Sequence, residues 1–161
     1  MSGEAEVPMD LLLWRHAEAE WARAGQDDLE RALTPRGQRQ ASRMARWLQG
    51  HLPDDARVLC SPALRTRQTA QALARPFQTE AALAPRCSHH DLLQAVGWPQ
   101  AGGCVLVVGH QPVLGNTLAQ LLGMTASTLA VKKGAVWWLR SRRRMGVPET
   151  LLLTVQHPDL L

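Results

Sequence analysis

Two short apolar runs end in the same way. Leu11-Leu12-Leu13-Trp14 leads into Arg15-His16, and Val105-Leu106-Val107-Val108-Gly109 leads into His110. Hydrophobic runs of this length, closed by polar or turn residues, read as buried strands. A strand that delivers a histidine at its carboxyl end is uncommon, and two in one chain restrict the fold sharply. In open α/β sheets, ligands lie beyond the carboxyl ends of parallel strands. The two runs therefore put two imidazoles and a guanidinium around one pocket, an arrangement suited to chemistry on an anion.

The rest of the chain supplies the layers such a sheet needs. The first strand spans about Asp10 to Arg15, and Met1 to Met9 reads as a loose tail. A polar stretch runs from Ala17 to Arg31. Thr34 then caps a helix with Pro35 in its first turn, where no donor is lost. Ala41, Met44, Ala45, Trp47 and Leu48 recur at helical spacing to about Gln49. Arg57-Val58-Leu59-Cys60 is a short strand, and Ser61-Pro62 opens a helix expected to reach Ala74. A weak strand is expected from Glu80 to Leu83, and a short helix from Asp91 to Val96 with Asp91 as its cap. Gly102-Gly103 precedes the strongest strand, Cys104 to Val108, and Pro112 opens a helix that Gly123 ends. Ala135 to Leu139 and Leu151 to Val155 read as an antiparallel pair at one side of the sheet. This order predicts an α/β fold, a three-layer sandwich with a mostly parallel central sheet flanked by helices, as a single domain over 10–161.

Composition narrows the function classes. A hydrophobic content of 45% with 20% charged residues fits one packed core and argues against disorder. No apolar run approaches the length of a membrane span. The first nine residues carry Glu4 and Glu6 and no basic segment, so they do not read as a secretion signal. Cys60, Cys87 and Cys104 cannot all pair, and free thiols in a cytoplasmic protein are the simplest account. No cysteine–histidine spacing matches a zinc site. The net charge of +4 favours anionic ligands weakly. Nucleic-acid binding would need a basic surface, and the densest cluster, Arg140 with Arg142-Arg143-Arg144, reads first as a solvated hairpin tip.

Taken together, the strand-end residues describe a phosphate site. Arg15 and His16 follow the first strand, Ser61 follows the second with Arg65 one helical turn on, and His110 precedes the Pro112 helix. Guanidinium forks match phosphate oxygens bidentately, and a helix N-terminus with free amides adds to them. A neutral imidazole can attack phosphorus while a second hydrogen-bonds the transferring group. Singly, each has an ordinary reading: a strand-end histidine is usually structural, Arg65 a surface helix residue, Glu18 a solvated loop carboxylate. Trp14, Trp47, Trp137 and Trp138 read as core or strand-face residues. Trp21 and Trp98 line the pocket rim or lie buried under a loop. A cysteine phosphatase needs Cys-x5-Arg, and the residue at that spacing from Cys60 is Thr66.

These residues also carry a resemblance. Leu13-Trp14-Arg15-His16-Ala17-Glu18 resembles the arginine-histidine-glycine motif of the histidine phosphatase superfamily. Ser61-Pro62-Ala63-Leu64-Arg65-Thr66-Arg67-Gln68-Thr69 is similar to its second signature, and Val107-Val108-Gly109-His110-Gln111-Pro112 to its third. With the segment Arg31-Ala32-Leu33-Thr34-Pro35-Arg36-Gly37 and the short chain, the resemblance extends to the SixA-type phosphohistidine phosphatases. It implies a histidine phosphatase (phosphoglycerate mutase-like) fold, with His16 as a transiently phosphorylated nucleophile. Arg15, Arg65 and His110 would hold the phosphoryl group, with Arg31 facing the pocket as a substrate-binding residue. It implies no metal and no cofactor. The implied substrate is a phosphorylated protein, such as a histidine phosphotransfer domain, or a small phosphorylated molecule, with no role for nucleic acid or membrane.

The chain departs from the superfamily in two places. Ala17 stands where the glycine is usual, which would be strained if that position required a positive φ. Larger members place a glutamate proton donor where this chain reads Ala81-Ala82-Leu83-Ala84-Pro85. An alkoxide leaving group needs such an acid, and an imidazole needs it less. The lack favours a phosphoramidate substrate, with His89, His90 and Asp91 read as loop and cap residues. The short segment between Arg65 and His110 leaves no room for a large lid, and an open site suits a side chain on another protein. A phosphomonoesterase acting on metabolites and a non-catalytic phosphoprotein-binding module stay open as alternatives.

Overall fold

A computed structural model describes residues 7–161; most of the N-terminal tail, residues 1–6, lies outside them. The central sheet is built from β1 (Met9–Arg15), β2 (Arg57–Cys60), β3 (Gln78–Thr79), β4 (Gly103–Gly109), β5 (Val136–Arg144) and β6 (Val147–Gln156). Its spatial order is β3-β2-β4-β1-β5-β6, parallel from β3 to β1 and antiparallel beyond. The expected α/β sandwich and the antiparallel pair at one side are both present. Met9, assigned to the tail from sequence, is the fully buried first residue of β1.

Alternation along β1 and β4 divides the core in two. Met9, Leu11, Leu13, Val105 and Val107 face α3 (His89–Val96) and α4 (Val113–Leu121). Leu12, Trp14, Cys104, Leu106 and Val108 face α1 (Pro35–Gln49) and α2 (Leu64–Gln71). Neighbouring strands β1 and β4 thus feed helices on opposite faces of the sheet, which opens a crevice at their carboxyl ends.

The helix signals are used largely as read. Thr34 Oγ1 accepts from the Gly37 amide at 2.9 Å and Pro35 occupies the first turn of α1. A Cβ at Gly37 would run into the Glu18 carbonyl, so glycine there allows α1 to abut the loop after β1. Three expectations are corrected. Glu80 to Leu83 is not a strand: Glu80 accepts from the Ala82 amide and caps a 3₁₀ turn, Ala81–Leu83, and the strand lies just before it at Gln78–Thr79. The cap of α3 is Ser88, with Asp91 closing a reciprocal capping box at 2.9 and 3.0 Å. The second helix is shorter than the span to Ala74, ending at Gln71.

Arg142, Arg143 and Arg144 are exposed beside the hairpin turn, as read, whereas Arg140 is not at the tip. The turn is Met145-Gly146, both at positive φ, and the arginines lie within β5. Arg140 holds the buried Asp10 through Nε at 2.6 Å and Nη2 at 2.9 Å, and Arg142 pairs with Glu149 across the hairpin at 2.9 Å. No helix among the described residues is long and apolar enough to cross a membrane.

Candidate active site

Sheet register alone brings the two histidines together. Arg15 is level with Gly109, and the His16 amide donates to the Gly109 carbonyl at 3.1 Å. His16 and His110 are therefore the next residues on adjacent parallel strands, with ring centroids 5.3 Å apart. Cys60 is level with Val108, and the Ser61 amide continues the ladder to the Val108 carbonyl at 3.1 Å. Ser61, His110 and His16 thus stand in a row across three strand ends. A cleft of about 550 Å³ opens there, lined among others by Arg15, His16, Arg31, Arg65, Pro85 and His110. Every site residue read from sequence reaches this one cleft.

A backbone carbonyl fixes the His16 tautomer. His16 Nδ1 lies 2.7 Å from the Ala17 carbonyl, which only accepts, so Nδ1 carries the proton and Nε2 keeps its lone pair. Ser61 Oγ accepts from the Ala63 amide at 3.3 Å and lies 2.8 Å from His110 Nε2; with the hydroxyl donating there, the His110 proton is on Nδ1. That Nδ1, Arg15 Nε and Arg65 Nε are buried donors with no protein partner. Trp137 Nε1 and His157 Nδ1 are likewise buried and unpartnered, but neither residue lines the cleft; three such nitrogens in residues of one cleft suit an anion.

Arg65 is almost wholly buried and is held by Asp28, its Nη1 donating to the Asp28 carbonyl at 2.8 Å and Nη2 to the carboxylate at 3.0 Å. Arg31 meets the other oxygen of that carboxylate at 3.1 Å and the Glu20 carbonyl at 2.8 Å. Desolvation pushes the Asp28 pKa up, but the hydrogen bonds from Arg31 and Arg65 outweigh it and hold the carboxyl below its ordinary value. Sequence reading missed Asp28, which lies in an irregular polar stretch. It also treated Glu18 as solvated, whereas Glu18 accepts from Thr34 Oγ1 at 2.7 Å beside the cleft.

Other readings are settled by position. Ala17 is fully buried with an ordinary negative φ, so the usual glycine is replaced without strain. Trp21 is at the cleft wall and 86% exposed, while Trp98 packs against the core near α3. The α4 N-terminus offers less than expected: the Leu114 amide is taken by the His110 carbonyl and the Gly115 amide by Gln111 Oε1 at 2.7 Å. Cys60 and Cys104 are buried free thiols pushed up to about 12, chiefly by desolvation, and make poor nucleophiles. No group of three or more candidate metal ligands occurs among the described residues.

Burial also decides the charge of the histidines. Desolvation drives the His16 pKa down to about 3, opposed by the Ala17 carbonyl and assisted by Arg65, Arg15 and Arg31. His110 falls to about 3 through desolvation, then the neighbouring His16 and Arg65. Both rings are neutral at pH 7. In the unfolded chain they protonate near 6.5. Lowered folded pKa values mean that the unfolded state binds more protons, so stability falls as pH drops from about 6.5 toward 3. The expected slope is on the order of 1.4 kcal/mol per pH unit for each ring. Thermal midpoints between pH 7 and 5 should decline, less so in His16→Asn. Ring NMR signals of His16 and His110 that titrate near 6.5 would show the argument wrong.

The family model for the histidine phosphatase superfamily (branch 1) matches residues 11–97. The chain belongs to the histidine phosphatase superfamily. It is similar to phosphohistidine phosphatase SixA of Escherichia coli, 33% identical over 122 residues, covering 70% of this chain and 74% of that one. The structure of a protein assigned as phosphohistidine phosphatase SixA from Nakamurella multipartitia superposes with a TM-score of 0.76 at 31% identity, over 96% of this chain and 99% of that one. The protein histidine phosphatase SixA complexed with tungstate superposes equally well, with a TM-score of 0.76 at 25% identity, over 94% of this chain and 99% of that one.

Proposed function

We propose that this member of the superfamily is a phosphohistidine phosphatase acting on a phosphorylated partner protein through a phosphohistidine intermediate on His16. The observation that carries the reading is the pairing of a neutral His16, Nδ1 tied to the Ala17 carbonyl, with three unpartnered buried donors around the same cleft. Similarity to phosphohistidine phosphatase SixA supports it, as does a tetrahedral oxyanion, tungstate, in a protein of the same fold. Arg15, Arg65 and the His110 Nδ1–H hold the phosphoryl oxygens, and Arg31 stands at the wall. His16 Nε2 attacks phosphorus, and the bond from phosphorus to the substrate imidazole nitrogen breaks. A water then attacks the phosphorylated His16, the P–Nε2 bond breaks, both water protons leave with inorganic phosphate, and the Nε2 lone pair is restored. Asp28 fixes the planes of Arg65 and Arg31 before substrate arrives, so less ordering is needed at binding.

Pro85 lines the cleft where a proton donor would serve an alkoxide leaving group. An imidazole that already carries a solvent-derived proton on its distal nitrogen leaves as the neutral ring without one, which favours phosphohistidine over a sugar phosphate. The testing experiment is a side-by-side measurement of kcat/KM on a phosphohistidine-bearing protein, phosphoramidate and several sugar phosphates. Phosphohistidine and phosphoramidate should dominate. Sugar phosphates turned over as fast would transfer the site to small-metabolite hydrolysis. A chelator should leave the rates unchanged, because none of the steps draws on a metal ligand set.

A further inference from the structure

Helix α1 carries Arg36, Arg39, Arg43 and Arg46 and no acidic residue anywhere from Pro35 to Gln49. Steps of three and four residues put all four guanidinium groups on one helical face, and all four are exposed. Arg36 lies 3.9 Å from Glu18. Arg39, Arg43 and Arg46 have no hydrogen bond or ion pair among the described residues. Like charges at this spacing work against the helix, and a face kept merely solvated would mix signs. The other arginine cluster, on β5, is engaged with Asp10, Glu149 and the Gly146 carbonyl.

The position of this face gives it a use. Thr34, the cap of α1, lines the catalytic cleft, and Arg39, Arg43 and Arg46 line a shallow depression that begins at Pro35. A basic track about 15 Å long therefore starts at the rim of the cleft. We propose that the exposed arginine face of α1 is the docking surface for an acidic stretch of the partner protein, next to its phosphorylated side chain. This rests on the reading of a phosphorylated protein as substrate. Nucleic acid fits less well, because the cleft at the end of the track takes a terminal phosphoryl group and is itself lined by Glu18 and Glu20. Complementary charge at a rim acts mainly on the encounter rate and weakens with salt.

The test uses two chemically phosphorylated histidine peptides, one with five glutamates on each side of the phosphohistidine and one with five serines, and phosphoramidate as the small substrate. The wild-type enzyme should prefer the acidic peptide by roughly tenfold in kcat/KM at low salt, and the preference should shrink with added salt. Arg39→Glu combined with Arg43→Glu should abolish the preference while phosphoramidate turnover and the thermal midpoint stay unchanged. Equal rates on both peptides, or a preference that survives the double variant, would overturn the docking surface and leave the phosphohistidine reading standing. Phosphoramidate turned over with neither peptide accepted would overturn both. If a homopolymeric RNA bound wild type and not the double variant, while the peptides showed no preference, nucleic acid would replace the acidic protein.

Discussion

His16→Ala should lose turnover by a factor on the order of 10⁵ or more, the scale seen when a covalent nucleophile is removed, while still binding vanadate or phosphate. The two halves of that expectation come from different atoms. Attack belongs to Nε2 of His16, freed by the Nδ1 contact with the Ala17 carbonyl at 2.7 Å. On the proposed mechanism, anion binding belongs to Arg15, Arg65 and His110, whose Arg15 Nε, Arg65 Nε and His110 Nδ1 atoms are buried and unpartnered and are left in place by the substitution. Rapid quench of the wild-type enzyme with labelled substrate should trap an acid-labile, base-stable phosphoryl group on His16. Added imidazole should restore part of the rate in the variant by occupying the space of the lost ring. Near-normal turnover by His16→Ala would end the covalent mechanism.

How much of this was legible in the sequence depends on the range of each interaction. The two histidine-terminated runs were readable because apolar runs between polar residues mark strands regardless of partner, and adjacent parallel strands must present their ends side by side. The Ser61–His110 hydrogen bond needs the extra fact that β2 pairs with β4, which no local pattern encodes. Asp28 was invisible for the same reason: its partner Arg65 is remote in sequence, and the segment around it has no periodicity. Gln78–Thr79 is a short, exposed edge strand with no hydrophobic alternation, whereas the apolar residues after it satisfy a 3₁₀ turn capped by Glu80. Arg142, Arg143 and Arg144 are solvated, as charge runs usually are, and only Arg140 departs from that reading. Strand pleating instead sends Arg140 to the side where Asp10 is buried, opposite it in the β1–β5 register.

The second large effect concerns the leaving group. Across aryl phosphates of rising phenol pKa, kcat/KM should fall steeply, and simple alkyl phosphates should be slower than phosphoramidate by roughly 10²–10⁴, the usual contribution of a general acid. Pro85 lines the cleft and has no proton to give, and Asp28, held ionised by Arg31 and Arg65, is a poor donor. His16 and His110 are both held neutral by burial, with pKa values near 3, so neither is an acid poised for pH 7. Glu18, which also lines the cleft, is engaged by Thr34 Oγ1 at 2.7 Å, and Glu20 is exposed. With departure drawing its proton from solvent, the disadvantage of alkyl esters should widen as pH rises. Pro85→Glu offers the complementary measurement: a carboxyl at the cleft wall should flatten the aryl series and raise alkyl phosphate turnover more than phosphoramidate turnover. A flat series in the wild-type enzyme would mean that a proton donor already acts in the cleft. Glu18 and Glu20, the carboxyl groups that line the cleft, would then be the first residues to substitute.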